Sequence, residues 1–193
     1  KEAFPDLTGE QVNKRMFLDI LTGTGSQAGD PLLKSDENAT VLIYLSSHGS
    51  PGGDIVVGDG SEYISPKELS GALTEMKESG RFGRLLLVLE SCFSGVVASE
   101  ITTPGVVVMT AAAPDETSKA ATYDSELSSW LSDEFTSRLI TTLRDPEFSG
   151  SLRHLYQHMN YHVRSSHPML SKGNESIDMP SVLFFGGTND ASS

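Results

Sequence analysis

The amino-acid sequence predicts an α/β fold, a three-layer sandwich in which a mostly parallel central sheet lies between two layers of helices. Three continuous apolar runs of strand length support this prediction: VLIYLSS (41–47), RLLLVLE (84–90) and VVVMTAA (106–112). Uninterrupted apolar runs are typical of strands that are covered on both faces. Stretches with helical periodicity separate these runs, and alternating strands and helices favour a parallel sheet.

The N-terminal half supplies two helices and a hairpin. Thr8–Gln11 has the form of a capping box, and the apolar residues after it fall on one helical face: Val12, Met16, Phe17, Ile20 and Leu21. Residues 23–38 are rich in Gly, Ser and Asp and predict a surface loop. Residues 54–65 predict a small hairpin that turns at a Gly-Asp-Gly triplet. Ser65 then caps a second helix, with proline and glutamate at the favoured following positions.

The C-terminal half continues the alternation. A polar loop is predicted from Pro114 to about Ser129, followed by a helix centred on Phe135, Leu139 and Leu143. A second helix is predicted over residues 152–163, and SVLFFGG (181–187) predicts a last apolar strand. We therefore expect one domain over residues 1–187 and a flexible tail over 188–193.

Composition and charge exclude several classes of partner. The 193 residues include 14 basic and 26 acidic ones, so the net charge is −12. Such an acidic surface repels nucleic-acid phosphates and anionic lipid, so neither a nucleic acid nor a membrane is an expected partner. The single cysteine cannot form an internal disulfide or a thiolate zinc site, and we expect no metal and no cofactor. Cysteine count leaves the compartment open, although glycosylation triplets at Asn38 and Asn174 hint at the secretory pathway.

Candidate catalytic residues follow two of the predicted strands. His48 and Gly49 come directly after the first run, and Glu90-Ser91-Cys92 ends the second. Because loops at the carboxyl ends of parallel strands carry function, His48 and Cys92 are expected at one edge of the sheet. A histidine can assist a thiol nucleophile and protonate a leaving amine, and a following glycine N–H is free to bind an oxyanion. A structural histidine and a buried structural thiol remain the alternatives.

Four ordered segments resemble the legumain family, the asparaginyl endopeptidases among the caspase-like (clan CD) cysteine peptidases. They are VLIYLSSHGS, LLLVLESCFSG, TAAAPDETS (110–118) and SHPMLSKGNESI (166–177). The resemblance spans nearly the whole chain, and it implies the caspase/legumain-like form of the predicted sandwich. It also implies an endopeptidase that cuts peptides after Asn, and after Asp at acidic pH.

The resemblance assigns a role to each candidate residue. It makes Cys92 the nucleophile and His48 the general acid/base, with the N–H groups of Gly49 and Cys92 holding the oxyanion. Glu90, Asp133 and Thr117 align with the pocket for the residue before the cut. A carboxylate there accepts from an amide NH₂, and a hydroxyl serves the amide oxygen. From the residues alone, Asp133 is equally explained as a favourable charge at a helix N-terminus.

Some positions depart from the family pattern. Ser47 replaces the usual aspartate before the histidine, which puts any ligase chemistry attributed to that aspartate in doubt. Glu134 replaces a tryptophan, and the first strands of the family, with a basic pocket residue, are missing from this chain. We therefore expect a companion N-terminal fragment that carries those strands.

Alternatives remain open for the function. They are a peptide asparaginyl ligase, a GPI-transamidase-like enzyme and an inactive binding homologue; the transamidase family tends to have Asp-Thr-Cys where this chain has Glu90-Ser91-Cys92. Members of the family are made as zymogens with a C-terminal prodomain. The exposed tail places a processing site at Asn189 or Asp190, and the expected location is an acidic compartment of the secretory pathway, or outside the cell.

Overall fold

The structure, a computed structural model, describes residues 7–24, 33–124, 129–171 and 175–186. Its strands are β1 (Thr40–Ser46), β2 (Ile55–Val57), β3 (Glu62–Ile64), β4 (Arg84–Glu90), β5 (Val106–Thr110), β6 (Ala120–Asp124), β7 (Ser129–Asp133) and β8 (Met169–Leu170). Its helices are α1 (Lys14–Thr22), α2 (Pro66–Glu78), α3 (Gly95–Glu100), α4 (Glu134–Arg144), α5 (Leu152–His162) and α6 (Val182–Phe185). Short 3₁₀ turns occupy Gly9–Gln11 and Glu175–Asp178.

The central sheet has the strand order β1-β4-β5-β8. β1 pairs with β4 in parallel, and β4 pairs with β5 in parallel, whereas β8 is antiparallel to β5. The predicted mostly parallel sheet is therefore confirmed. The three apolar runs form its three long strands, which puts the carboxyl ends of β1 and β4 side by side.

Alternate side chains of the central strands enter two separate cores. Leu85, Leu87 and Leu89 of β4 pack on the side of α1, α2 and α3. Leu86 and Val88 pack on the other side, with α4, α5 and α6. Burying each such side chain contributes about 1.5–3 kcal/mol, so both faces of β4 stabilise the sandwich. This two-sided burial confirms the three-layer architecture and explains why the run is apolar throughout.

Local signals set the helix starts, with one correction to the predicted boundaries. At α2 the Ser65 N–H donates to Glu68 Oε2 (3.0 Å) and the Glu68 N–H donates to Ser65 Oγ (3.3 Å), as the capping pattern predicts. The predicted capping box at Thr8 is present, with the Thr8 N–H donating to Gln11 Oε1 (3.3 Å), but it starts the 3₁₀ turn Gly9–Gln11 and not the first α-helix. That helix begins at Lys14, because Asn13 accepts from the Met16 N–H at 2.9 Å and so caps it.

Two predictions for the C-terminal half were wrong. The segment SVLFFGG was expected as a strand, but Val182–Phe185 form the short helix α6, with Phe184 buried. A short apolar run fits either element, and here the last place in the sheet belongs to β8. The segment from Pro114 to Ser129 is not only a loop, since β6 and β7 form an antiparallel pair with register shifts near Thr122.

One further prediction is tested by the structure, and two concern residues that it does not describe. The hairpin over residues 54–65 is confirmed, with Ile55 opposite Ile64. The predicted domain end at residue 187 and the tail 188–193 lie outside the described residues.

Candidate active site

The two candidate catalytic segments leave the sheet next to one another. Ser46 and Glu90 are paired at the ends of β1 and β4, and the Ser47 N–H donates to the Glu90 carbonyl oxygen at 3.0 Å. Beyond this pair, a Cβ placed on Gly49 would lie 2.2 Å from the Cys92 carbonyl oxygen. The His48-Gly49 backbone therefore packs directly on Cys92, and the side chain of His48 is exposed at the same sheet edge.

Cys92 lies in the turn that joins β4 to α3. Its thiol is partly exposed and donates to the carbonyl oxygen of Ser118 at 3.7 Å. Phe93 has φ 56°, in the left-handed region that non-glycine residues rarely adopt, and its N–H donates to the Glu116 carbonyl oxygen at 2.8 Å. The turn is thus held by the loop after β5, and it presents the thiol outside the sheet.

Two backbone donors close to the thiol are free in the described part of the chain. An isolated bridge joins Gly49 to Ile55. On either side of it, the Ser50 N–H donates to the Asp54 carbonyl oxygen and the Val56 N–H donates to the His48 carbonyl oxygen. The Gly49 N–H has no acceptor among the described residues, and the same holds for the N–H of Cys92. Free N–H groups beside a nucleophile are what an oxyanion would require.

Glu90 and Asp133 form a carboxylate pair next to the Cys92 turn. The Asp133 N–H donates to Glu90 Oε1 at 3.0 Å, and Glu90 Oε2 accepts from the hydroxyls of Tyr44 and Thr136. Asp133 caps α4, since its Oδ1 accepts from the Thr136 N–H at 2.8 Å, and its Oδ2 accepts from the hydroxyl of Ser118. Both sequence interpretations of Asp133, pocket carboxylate and helix cap, fit this geometry.

Burial raises the pKa values of two groups in this cluster, Asp133 and Tyr44. Asp133 is 5% exposed, and desolvation, with the Glu90 charge adding to it, raises its pKa to about 6. Desolvation and the hydrogen bond to Glu90 also raise the pKa of Tyr44, so its hydroxyl keeps its proton at any ordinary pH. Asp133 therefore changes charge in mildly acidic solution.

The hydroxyl next to Asp133 belongs to Ser118, which the sequence did not single out. Thr117 is exposed, and its pocket role stays a prediction. Ser118 is the last residue of the matched segment 110–118, so the same segment contained the signal. Glu134, at the position of the family's tryptophan, accepts from the N–H groups of Arg164 (2.9 Å) and Ser165 (2.8 Å).

A second link missed from the sequence joins Glu116 to His167. The Glu116 carboxylate accepts from the Ala113 N–H at 2.8 Å and from the His167 N–H, and it lies 2.9 Å from His167 Nδ1. Although burial alone would raise the pKa of Glu116, these hydrogen bonds lower it, and Glu116 in turn raises the pKa of His167. Glu116 thus ties the loop after β5 to the segment before β8 and, through its carbonyl, to Phe93.

Of the predicted glycosylation and processing sites, only Asn38 lies among the described residues. Asn38 is exposed in the turn before β1, as a glycosylation site would have to be. Asn174, Asn189 and Asp190 lie outside the described residues. In the ranges that the structure describes, no three His, Cys, Asp or Glu side chains are grouped as metal ligands would be. No helix within those ranges is both long and apolar enough to cross a bilayer.

Comparison with known proteins identifies a family and several relatives. The model of the peptidase C13 family matches residues 2–186. The chain is 28% identical to legumain of Rattus norvegicus over 191 residues, which is 94% of this chain and 42% of that protein. It is 24% identical to the GPI-anchor transamidase of Saccharomyces cerevisiae over 166 residues, 84% of this chain and 40% of that protein. The chain thus spans about two-fifths of these relatives' length.

The fold also resembles a solved caspase structure. Caspase-1 of Spodoptera frugiperda superposes with a TM-score of 0.52 at 12% identity, over 90% of this chain and 71% of that one. At this identity the likeness bears on the fold alone, and it confirms the predicted caspase-like sandwich.

Proposed function

The chain belongs to the peptidase C13 family, and on that premise we propose that it is the larger fragment of the catalytic domain of a cysteine endopeptidase that cleaves after Asn, and after Asp in acidic solution. One observation carries the proposal. The His48-Gly49 backbone lies against the Cys92 carbonyl at the ends of two neighbouring parallel strands. The carboxylate pair Glu90–Asp133 lies beside the same turn.

In this mechanism the Cys92 sulfur attacks the carbonyl carbon of the scissile peptide bond. The thiol proton passes to His48, and the negative charge that develops on the carbonyl oxygen is stabilised by the N–H groups of Gly49 and Cys92. When the C–N bond breaks, His48 gives the proton to the leaving amine. Water, deprotonated by His48, then attacks the acyl-enzyme and releases the new carboxylic acid.

The proposed pocket selects the residue before the cut by hydrogen bonding. Glu90 and Asp133 accept from the amide NH₂ of an asparagine, and the hydroxyl of Thr117 donates to its amide oxygen. An ionised aspartate is repelled by both carboxylates. Because the pKa of Asp133 is about 6, acidification removes one of these charges, and it also brings the substrate carboxyl toward its neutral form, which resembles asparagine.

We propose a companion N-terminal fragment that adds to the sheet along β1. On its other side β1 pairs with β4, and no other described strand pairs with it. Leu42 and Tyr44 of β1 remain 38% and 42% exposed. Among the described ion pairs none involves Glu90 or Asp133, so a basic residue supplied by the companion would complete the pocket.

The proposal extends to maturation. A C-terminal prodomain would cover the active site in a zymogen, and cutting after Asn189 or Asp190 in an acidic compartment of the secretory pathway would release it. Residues 1–187 would then form the peptidase domain, and 188–193 the segment at which it is cut.

The test uses two variants and a matched control in the complete protein. Cys92→Ala and His48→Ala are expected to lower cleavage of an Asn-containing peptide about a thousandfold or more, as removal of a nucleophile or its base does elsewhere. His154→Ala, at an exposed position on α5, keeps full activity. Undiminished turnover by the Cys92→Ala protein would refute the peptidase mechanism.

The same assay distinguishes hydrolysis from transpeptidation, which share the acyl-enzyme. A second peptide with a free amino terminus is added, and products are separated by mass. Hydrolysis gives only the cleaved acid, whereas a joined product in excess of that acid would replace endopeptidase by ligase as the main activity.

A further inference from the structure

Tyr44 connects the edge strand β1 to the carboxylate pair. Its ring lies on the same side of the sheet as Val88, its partner in β4, and its hydroxyl is directed toward Glu90, the last residue of that strand. There it bonds Glu90 Oε2 and lies 2.7 Å from Thr136 Oγ1. A side chain from the sheet edge and one from the first turn of α4 therefore meet on one carboxylate oxygen.

These contacts use most of the hydrogen-bonding capacity of Glu90. An ionised carboxylate offers about four acceptor positions. Oε1 takes one donor, the Asp133 N–H, and Oε2 takes the hydroxyls of Tyr44 and Thr136. About one position is left for an incoming N–H, so the three donors fix both the rotation of the carboxylate and the direction in which it can accept.

The two hydroxyls act as donors toward Glu90. They are close enough to bond each other, but each has one proton, and a carboxylate is the stronger acceptor. The raised pKa of Tyr44 keeps its proton in place throughout the working range. Glu90 is therefore held as an acceptor-only group, which suits an amide NH₂ and not a carboxylate.

We propose that Tyr44, with Thr136, is the positioning residue of the specificity pocket: it orients Glu90 so that the site prefers a substrate side chain carrying an amide NH₂. This inference rests on the proposed function. Tyr44 acts through Glu90 and touches no reacting atom.

The experiment measures binding instead of turnover, in a Cys92→Ala background of the complete protein. Two peptides are compared, one with Asn at the expected cleavage position and one with Leu there. Tyr44→Phe removes only the hydroxyl, and Thr136→Val removes a hydroxyl while keeping the N–H that donates to Asp133. Tyr63→Phe, at a tyrosine that is 50% exposed on β3, is the matched control.

We expect Tyr44→Phe to weaken binding of the Asn peptide about tenfold or more, the cost of losing a hydrogen bond to a charged group. Binding of the Leu peptide should stay constant, as should the rate at which iodoacetamide alkylates Cys92 in the protein that retains it. Thr136→Val should also weaken binding of the Asn peptide. Thr136→Ser keeps the hydroxyl and should bind it as the parent does, and Tyr63→Phe should change the binding of neither peptide.

Three outcomes would overturn the inference, and they are distinguishable. An Asn preference that Tyr44→Phe leaves intact refutes the role of Tyr44 and spares the proposed function. Parallel loss of both peptides and of the alkylation rate shows that Tyr44 only supports the fold. Equal binding of both peptides in the protein that retains Tyr44 refutes the proposed asparagine pocket and, with it, the role of Tyr44.

Discussion

Asp133→Asn changes the charge of the buried cap of α4 while preserving its shape. The asparagine Oδ1 can still accept from the Thr136 N–H, and its Nδ2 can donate to the oxygen of Ser118 in place of the reverse bond. Asparagine and aspartate are nearly equal as helix caps. The main effect of the substitution is therefore to remove an ionisable group whose charged form is disfavoured by burial and by Glu90.

The size and sign of the effect follow from the pKa. Folding raises the pKa of Asp133 from 3.8 to about 6, so its protonated form stabilises the fold below pH 3.8, and that stability is lost as pH rises through about 6. Each pKa unit corresponds to about 1.4 kcal/mol. Relative to the protein with Asp133, the asparagine variant should be more stable by about 3 kcal/mol at pH 7.5 and by less than about 1 kcal/mol at pH 4.

Chemical denaturation at a series of pH values between 4 and 7.5 measures this difference directly. Asp115→Asn, at an exposed aspartate, serves as the control and should leave the free energy of unfolding within about 0.5 kcal/mol. A stability difference that does not grow with pH, or a variant less stable than the parent at pH 7.5, would show that Asp133 is not destabilised as an ion.

Two further predictions concern the backbone around the thiol. Gly49→Ala places a methyl group against the Cys92 carbonyl and should lower peptide cleavage at least about tenfold, whereas Gly52→Ala, whose Cβ would have only ordinary contacts at 3.5 Å, should be neutral in the same assay. Glu116→Gln should lower the melting temperature most between pH 4.5 and 6.5, where Glu116 is ionised and His167 protonated. The pair's contribution disappears as pH falls through the lowered pKa of Glu116 or rises through the raised pKa of His167, so a loss that is uniform in pH would contradict the ionic link.

The sheet and the candidate catalytic edge could be predicted because continuous apolar runs leave few alternatives. The runs ending at Leu45 and Leu89 became β1 and β4, and strand pairing then brought Gly49 and Cys92 together. The run at Val182 misled, because four apolar residues satisfy a helix as well as a strand.

The candidate pocket could be predicted only in part. Glu90 and Asp133 were found through family resemblance, but Tyr44 lies 46 positions from Glu90 and 92 from Thr136. No local sequence pattern predicts a hydrogen bond between side chains so distant in sequence. The pair β6–β7 was not predicted, because its residues do not alternate between apolar and polar side chains. That alternation is the sequence pattern expected of a half-buried strand.

The two halves of the site belong to different parts of the architecture. His48 and Cys92 extend from the ends of strands in the central sheet, whereas Asp133 ends β7, in a separate two-stranded sheet with an irregular register. The proposed reacting groups thus follow strands of the central sheet, whereas one of the two proposed pocket carboxylates comes from a separate hairpin. Substitutions in the hairpin could therefore alter the proposed preference through Asp133, while Glu90 and Tyr44, on strands of the central sheet, keep their places.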